Sequence, residues 1–328
     1  MKSLTKCIIG IVLLLLSFLA AMVFGAAKTG VHEVWNAIAS NKTSETITMI
    51  REIRLPREIG AIFVGAALSV SGAIMQGLTR NPLADPGLLG LTAGANAALA
   101  LTIALIPSAN YFLIMIACFI GAASGVLAVF GIGALKKGGF SPLRIVLAGA
   151  AVSTFLYGVA DGIGLYFKIS KDVSMWTSGG LLGTAWSQLQ IVMPFILIGI
   201  IVSIFLSRQL TVLSLNEDVA IGLGQNIGRI KFILYIVIVL LAGAAVALVG
   251  NLAFVGLMVP HIVRQIVGTD YRFILPMSAI FGAAFMSLAD TIARTINAPY
   301  ETPIAAIVSI IGLPFFLFIV HKGGKVLS

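Results

Sequence analysis

Apolar stretches of about twenty residues recur along the chain, separated by short polar breaks. A helix crossing the ~30 Å hydrocarbon core of a bilayer needs ~20 such residues. The pattern predicts ten spans, at about 7–25, 58–78, 88–106, 111–134, 143–166, 189–207, 230–249, 252–267, 273–294 and 303–320. The third and eighth are short or weakly apolar. Gly121 and Gly125, and Gly158 and Gly162, are spaced four apart, which lets helix backbones approach closely in a bundle. The first run, Cys7 to Ala27, is longer than the ~7–15-residue core of a secretory signal. It is read as a retained anchor.

Composition agrees with that pattern. Of 328 residues, 59% are hydrophobic and 10% charged, against ~45–50% and ~25% in soluble domains. A soluble enzyme and a disordered chain are both excluded, and after ten spans little sequence remains for a catalytic domain. The formal charge is +9, but the basic residues are scattered between apolar runs, so nucleic acid is not a partner. With both termini placed inside, thirteen Lys and Arg and four acids fall on the inner side, and eight of each on the outer. That asymmetry is the positive-inside rule. Cys7 and Cys118 lie in apolar segments and read as packing residues.

One internal offset stands out. Gly65-Ala66-Ala67 and Gly243-Ala244-Ala245 are 178 residues apart, and the same shift lays Pro82 on Pro260 and Gly90 on Gly268. Five spans fit inside it. An odd number sends the second copy into the membrane from the opposite side, the inverted repeat of many transporters. The halves are about 57–166 and 235–320, within a single permease domain of 1–328. The weak third and eighth spans hold matching places and point to a pathway.

Several chemistries are absent from the sequence. There is no GxxxxGK[ST] phosphate loop and no HExxH. His32, His261 and His321 lie far apart, so no metal site is expected. Deep acids reduce to Asp161 and Asp290, which is thin material for an ion-coupled carrier. Asp290 and Arg294 are four apart on one helix face, so a local ion pair is the alternative use.

Three polar segments carry the remaining information. Arg51 to Glu58 holds three Arg at the outer mouth, as interfacial snorkelling or as a docking surface for carboxylates. Thr79 to Gly87 combines Asn-Pro with Asp-Pro-Gly, which is turn chemistry. In Ser214 to Gly228, Ser214 or Asn216 caps a short helix with Glu217 and Asp218 in its first turn. Leu215, Val219, Ile221 and Leu223 give that helix apolar contacts, and Gly222-Leu223-Gly224 ends it. It reads as either a partner-docking element or a helix on the inner leaflet.

The stretch RLPREIGAIFVGAALSVSGAIMQGLTRNPLADPGLLGLTAGA resembles the second-span region of the FecCD family of ABC-importer permeases. LNEDVAIGLGQNIGRIK, GNLAFVGLMVPHIVRQIVGTDYR and SLADTIAR…ETPIAAIVSIIGLPFFLFIV resemble later motifs of that family, in its order, over about residues 50–325. The resemblance implies an all-α polytopic membrane protein of about ten transmembrane helices with an inverted internal repeat (BtuC-like). It implies import of an iron–siderophore complex, haem or cobalamin, through a dimer of permeases. The second subunit is another copy or a paralogue. An ATP-binding-cassette ATPase pair lies below, holding ATP and Mg, and a substrate-binding protein lies outside. The chain itself would carry no cofactor and catalyse no reaction.

Family positions carry over residue by residue. Arg54, Arg57 and Arg294 match those that pair with Glu on the binding protein. Ser214, Asn216, Glu217, Asp218, Ala220, Gly222 and Gly224, within a loop of about 208–229, match the coupling helix that enters the ATPase cleft. Asn81, Pro82 and Leu83, with Ser141 and Pro142, match segments near the cytoplasmic gate. Glu301-Thr302-Pro303-Ile304-Ala305 departs from the family's usual ELPIG. The expected function is therefore a permease subunit for ferric siderophore in the cytoplasmic membrane, with both termini cytoplasmic. The rivals are the same machine carrying haem or cobalamin, an ion-coupled carrier using Asp161 or Asp290, and a membrane assembly protein.

Overall fold

The computed structural model describes residues 2–25, 29–40, 43–134, 142–177 and 180–324. Among these, every regular element is helical. The order is α1 (Lys2–Val23), α2 (Val31–Ala39), α3 (Glu45–Met49), a π-helical turn (Ile50–Arg54), α4 (Leu55–Thr79), a 3-10 turn (Pro86–Leu89), α5 (Leu91–Leu105), α6 (Tyr111–Ala134), α7 (Pro142–Tyr166) and α8 (Ser170–Thr177). Then come α9 (Trp186–Phe205), α10 (Ser207–Leu215), α11 (Glu217–Gly222), α12 (Ile227–Val249), α13 (Val255–Val267), α14 (Tyr271–Thr295) and α15 (Ile304–Gly324).

Each of the ten predicted segments falls on an apolar helix. Seven helices are long and apolar enough to cross a bilayer, and three are shorter: Leu91–Leu105, Val255–Val267 and Ile304–Ile319. The second span starts earlier than its apolar run, because α3, the π turn and α4 are continuous from Glu45 to Thr79.

α4 is the axis of the bundle. It packs against α14, α12, α13, α9 and α10, and nearly all of its residues are buried. Small residues around its whole circumference make that possible. A Cβ on Gly72 would fall on the carbonyl of Gly256 in α13, and one on Gly65 on the carbonyl of Gly282 in α14. α5 and α6 meet in the same way, with Gly90 and Gly94 against Gly125 and Gly121. This is the close small-residue packing that stabilises helices in lipid, where burial alone drives little. The first GxxxG pair therefore packs inside the chain. The second does not: nothing lies within 4 Å of the Cβ positions of Gly158 or Gly162 on α7.

Helix lengths repeat. α4 to α7 have 25, 15, 24 and 25 residues, and α12 to α15 have 23, 13, 25 and 21. The fixed 178-residue offset does not follow this correspondence. It lays Pro82, in a turn, on Pro260, inside α13, and it lays the start of α5 near the start of α14. Only its first landmark, the Gly-Ala-Ala run of α4 and α12, joins elements of equal rank.

The polar breaks gather at two ends, about 35 Å apart by the rise of α4 from Arg57 to Arg80. Arg80, Glu217 and Lys231 meet at one end, where the Lys6 ammonium also donates to the Ile266 carbonyl. Arg54, Arg57, Arg294 and Glu301 gather at the other. Charges sorted to one side by sequence are thus neighbours in space.

Candidate functional site

At the Arg57 end, polar groups form a buried network. Arg54, Arg57 and Arg294 are only 5%, 8% and 5% exposed. The sequence placed them on an open mouth; the fold turns them inward, because the π turn and α4 carry Arg54 and Arg57 against α1 and α14. Arg57 Nε and Nη2 donate to the Asp290 carboxylate at 2.9–3.1 Å. Its Nη1 donates to both Glu301 oxygens, at 2.8 and 2.9 Å. Such two-sided, fork-shaped pairing is specific to a guanidinium. Arg294 Nε lies 2.9 Å from Asp290 Oδ2, the ion pair one helical turn apart, and Nη2 lies 3.8 Å from the fully buried Glu58.

The other two guanidiniums close the end of α1. Arg54 Nη1 donates to the Met22 carbonyl at 2.8 Å and to Thr29 Oγ1 at 2.7 Å, and Arg294 Nη2 donates to the Ala21 carbonyl at 3.3 Å. The last carbonyls of a helix lack intrahelical donors and carry the negative end of its dipole, so cations settle there. Arg51 does the same for α2, donating from Nε to the Ala37 carbonyl at 2.7 Å.

Glu301 marks where this network reaches the surface. Its side chain is 27% exposed, and with Arg57, Trp176, Leu182, Gln188 and Val249 it lines a cavity of about 380 Å³. Asp290 is held between Arg57 and Arg294, so the geometry gives it an ion-pairing use. Asp161 sits on an exposed face of α7.

At the Arg80 end, α4 stops on a left-handed residue, Arg80 (φ 52°), and the Asn81 N–H donates back to the Gln76 carbonyl at 3.2 Å. Asn81 Oδ1 accepts from the Leu83 N–H at 3.0 Å, and Asp85 Oδ1 caps the 3-10 turn by accepting from the Gly87 N–H at 2.7 Å. Burial pushes the Asp85 carboxyl up to about 6. Asn81, Pro82 and Leu83 thus form one tight turn. Ser141 lies outside the described residues. Pro142 begins α7, and its side chain lies outside them too.

The predicted coupling element is a short helix, α11, with both ends fixed. Asn216 is its N-cap, accepting from the Asp218 N–H at 2.8 Å. Ser214 instead donates to the Thr211 carbonyl inside α10. Gly224 is left-handed (φ 76°). Its N–H reaches the Ile221 carbonyl and that of Gln225 reaches Ala220, the Schellman closure. Ala220 is buried, while Leu215, Val219, Ile221 and Leu223 are 47–68% exposed. Glu217, at the head of α11, pairs with Arg80 (3.3 Å) and Lys231 (2.9 Å), and so ties α11 to α4 and α12.

α10 connects that element to the core. Thr211 Oγ1 donates to Asp270 Oδ1 at 3.1 Å and accepts from the Tyr271 N–H at 2.9 Å. Hydrogen bonding from Arg272 holds the Asp270 carboxyl below its usual range. Tyr271 and Gln76 both accept from Arg264, at 3.2 and 3.0 Å. Gln76 Nε2 then donates to the Gly256 and Leu257 carbonyls at 3.3 and 3.1 Å. Pro260 has no N–H for the Gly256 carbonyl four residues before it, so Gln76 supplies what the proline cannot. Sequence reasoning missed Glu58, Glu301, Gln76, Arg264 and Tyr271 as site residues. A lone Gln in a helix of small residues is the one local signal, and its partners lie about 180 residues away.

Comparison with known proteins places this geometry. The FecCD transport family model matches residues 13–322. The chain is 42% identical over 318 residues to the iron(3+)-hydroxamate import system permease protein FhuB of Bacillus subtilis (strain 168), covering 96% of this chain and 82% of that protein. It is 41% identical to the iron-uptake system permease protein FeuB of the same organism, covering 94% and 93%. A solved inward-facing conformation of a metal-chelate type ABC transporter superposes with a TM-score of 0.83 at 25% identity, covering 98% of this chain and 99% of that one. This chain is a multi-pass membrane protein and belongs to the FecCD transport family.

Proposed function

We propose that the chain is the permease subunit of an ATP-driven importer that moves a ferric siderophore across the cytoplasmic membrane, with both termini cytoplasmic. The observation that carries this is α11. A six-residue helix, fixed at both ends and tied to α4 and α12 through Glu217, presents Val219, Ile221 and Leu223 outward at the basic end of the bundle. A subunit driven by a separate ATPase has a use for a rigid apolar knob there. ATP and Mg then belong to that ATPase, and the permease catalyses no reaction. The ferric siderophore cargo is supported by the names of the hydroxamate and iron-uptake relatives.

The Arg57 end then faces outward and receives the substrate-binding protein. Of the three arginines expected there, Arg57 is the one whose guanidinium lines an open cavity, so a partner carboxylate would reach it by replacing Glu301. Arg54 and Arg294 hold α1 and Asp290 behind it. The turn at Asn81–Leu83 and the start of α7 stand at the cytoplasmic gate. The 4–7 and 12–15 helix sets are the two halves of an inverted repeat within one permease domain. The open Gly158–Gly162 face of α7 is where a second permease subunit, a copy or a paralogue, comes close.

Ile221→Asp tests the assignment of α11. It places a charge on the exposed apolar edge, away from the buried Ala220. The variant is expected to fold and to lose co-purification with the cognate ATPase. Undiminished association would contradict the assignment.

A further inference from the structure

A second cavity, of about 850 Å³, lies at the Arg80 end between α6 and α12, bordered also by the end of α4, the turn after it and the start of α7. Its walls are apolar, with Phe119, Ile120 and Leu127 on α6 and Phe232 and Ile236 on α12. Three of these are at least 66% exposed within the chain: Ile120, Leu127 and Phe232. The groove therefore opens sideways from the bundle, and its floor is the buried Met75, Leu78 and Leu89.

Dimensions and polarity identify an occupant. On α6 the lining runs from Phe119 to Phe130, about 16 Å at 1.5 Å per residue. That is close to half of a ~30 Å hydrocarbon core, the depth of one leaflet. The polar groups are confined to one end, where Arg80 and Lys231 flank Glu217. Their side chains are 46% and 30% exposed, and Glu217 takes up one donor from each. Asp85, the other acid lining the groove, is occupied in capping the 3-10 turn. A one-leaflet apolar slot with two cations at headgroup depth matches an acyl chain bearing a phosphate.

We propose that this groove binds an anionic phospholipid, its acyl chain along α6 and α12 and its phosphate on Arg80 and Lys231. The phosphate competes with Glu217 for both cations, so occupancy loosens the tie between α11 and its neighbours. The site stands on its own geometry and does not depend on the transport assignment.

The test uses the full chain carrying Phe232→Trp in vesicles of phosphatidylcholine doped with dibrominated lipid, which quenches indole on contact. The three native Trp lie outside the groove lining, and the parent chain gives their background. Dibrominated phosphatidylglycerol is expected to quench the introduced indole at about fivefold lower mole fraction than dibrominated phosphatidylcholine, the preference that one basic side chain near an anionic surface provides. Adding Arg80→Gln and Lys231→Gln should erase the difference. Equal quenching by both lipids before those changes would overturn the proposal. Native mass spectrometry of Ala123→Phe, which fills the groove, gives a second reading. Loss of retained phosphatidylglycerol supports the site. Unchanged retention, with or without a change in oligomeric state that would make the groove an interface between copies, refutes it.

Discussion

Gln76 is only 2% exposed, and it answers a defect made by another residue. Pro260 leaves the Gly256 carbonyl without its helical donor, and the Gln76 amide fills that place while accepting from Arg264. Gln76→Leu should therefore cost about 1–3 kcal/mol, read as a lower melting temperature of the detergent-solubilised protein. An unchanged melting temperature would mean the carbonyl is satisfied in some other way. Asp290 is a stronger case, because it balances Arg57 and Arg294 in a fully buried position. Asp290→Asn leaves Arg57 with Glu301 alone and Arg294 with only the more distant Glu58, and should cost about 3–5 kcal/mol. Glu301→Gln, at the partly exposed edge, should cost under about 1 kcal/mol. Equal losses from the two changes would show that burial does not grade this network. At this scale the sequence was legible only over short spacings. The Asp290–Arg294 pair is visible at four residues' distance, whereas Arg57 joins it from 233 residues away, and no local pattern announces that.

Elements were legible where local chemistry defines them. α11 has its acceptor at Asn216, its acids in the first turn and its left-handed Gly224, all within ten residues of sequence. α2 and α8 were not anticipated. Both are short, and α2 is held by a small cluster of Val34, Ala37, Met22 and Ile50 from three different segments, which only tertiary folding assembles. The 178-residue offset does not by itself pair the helices, since Gly and Pro recur too often in such a chain for one offset to be decisive. Contacts between helices give a sharp prediction. Gly72→Val would drive side-chain atoms into the backbone of α13, while Gly131→Val on α6 meets nothing within 4 Å. The first variant should be lost to aggregation on size-exclusion chromatography and the second should elute as the parent does. Identical behaviour would contradict the close α4–α13 crossing.

For the whole molecule, 59% hydrophobic residues leave little chain outside the bundle. Its specific chemistry is consequently confined to two polar ends joined by α4. The buried network at the Arg57 end fixes α1, α4 and α14 together, and the hydrogen-bonded series at the other end runs from α10 through Tyr271 and Arg264 to Gln76. Such a series joins α10 to the central helix α4. The most direct test is uptake of iron-labelled ferric hydroxamate siderophore by vesicles holding this chain with its ATPase and binding protein. The account predicts accumulation that requires ATP and is unaffected by collapse of the proton gradient, with haem and cobalamin not accumulated. Uptake without the ATPase, or none with the complete assembly, would contradict it.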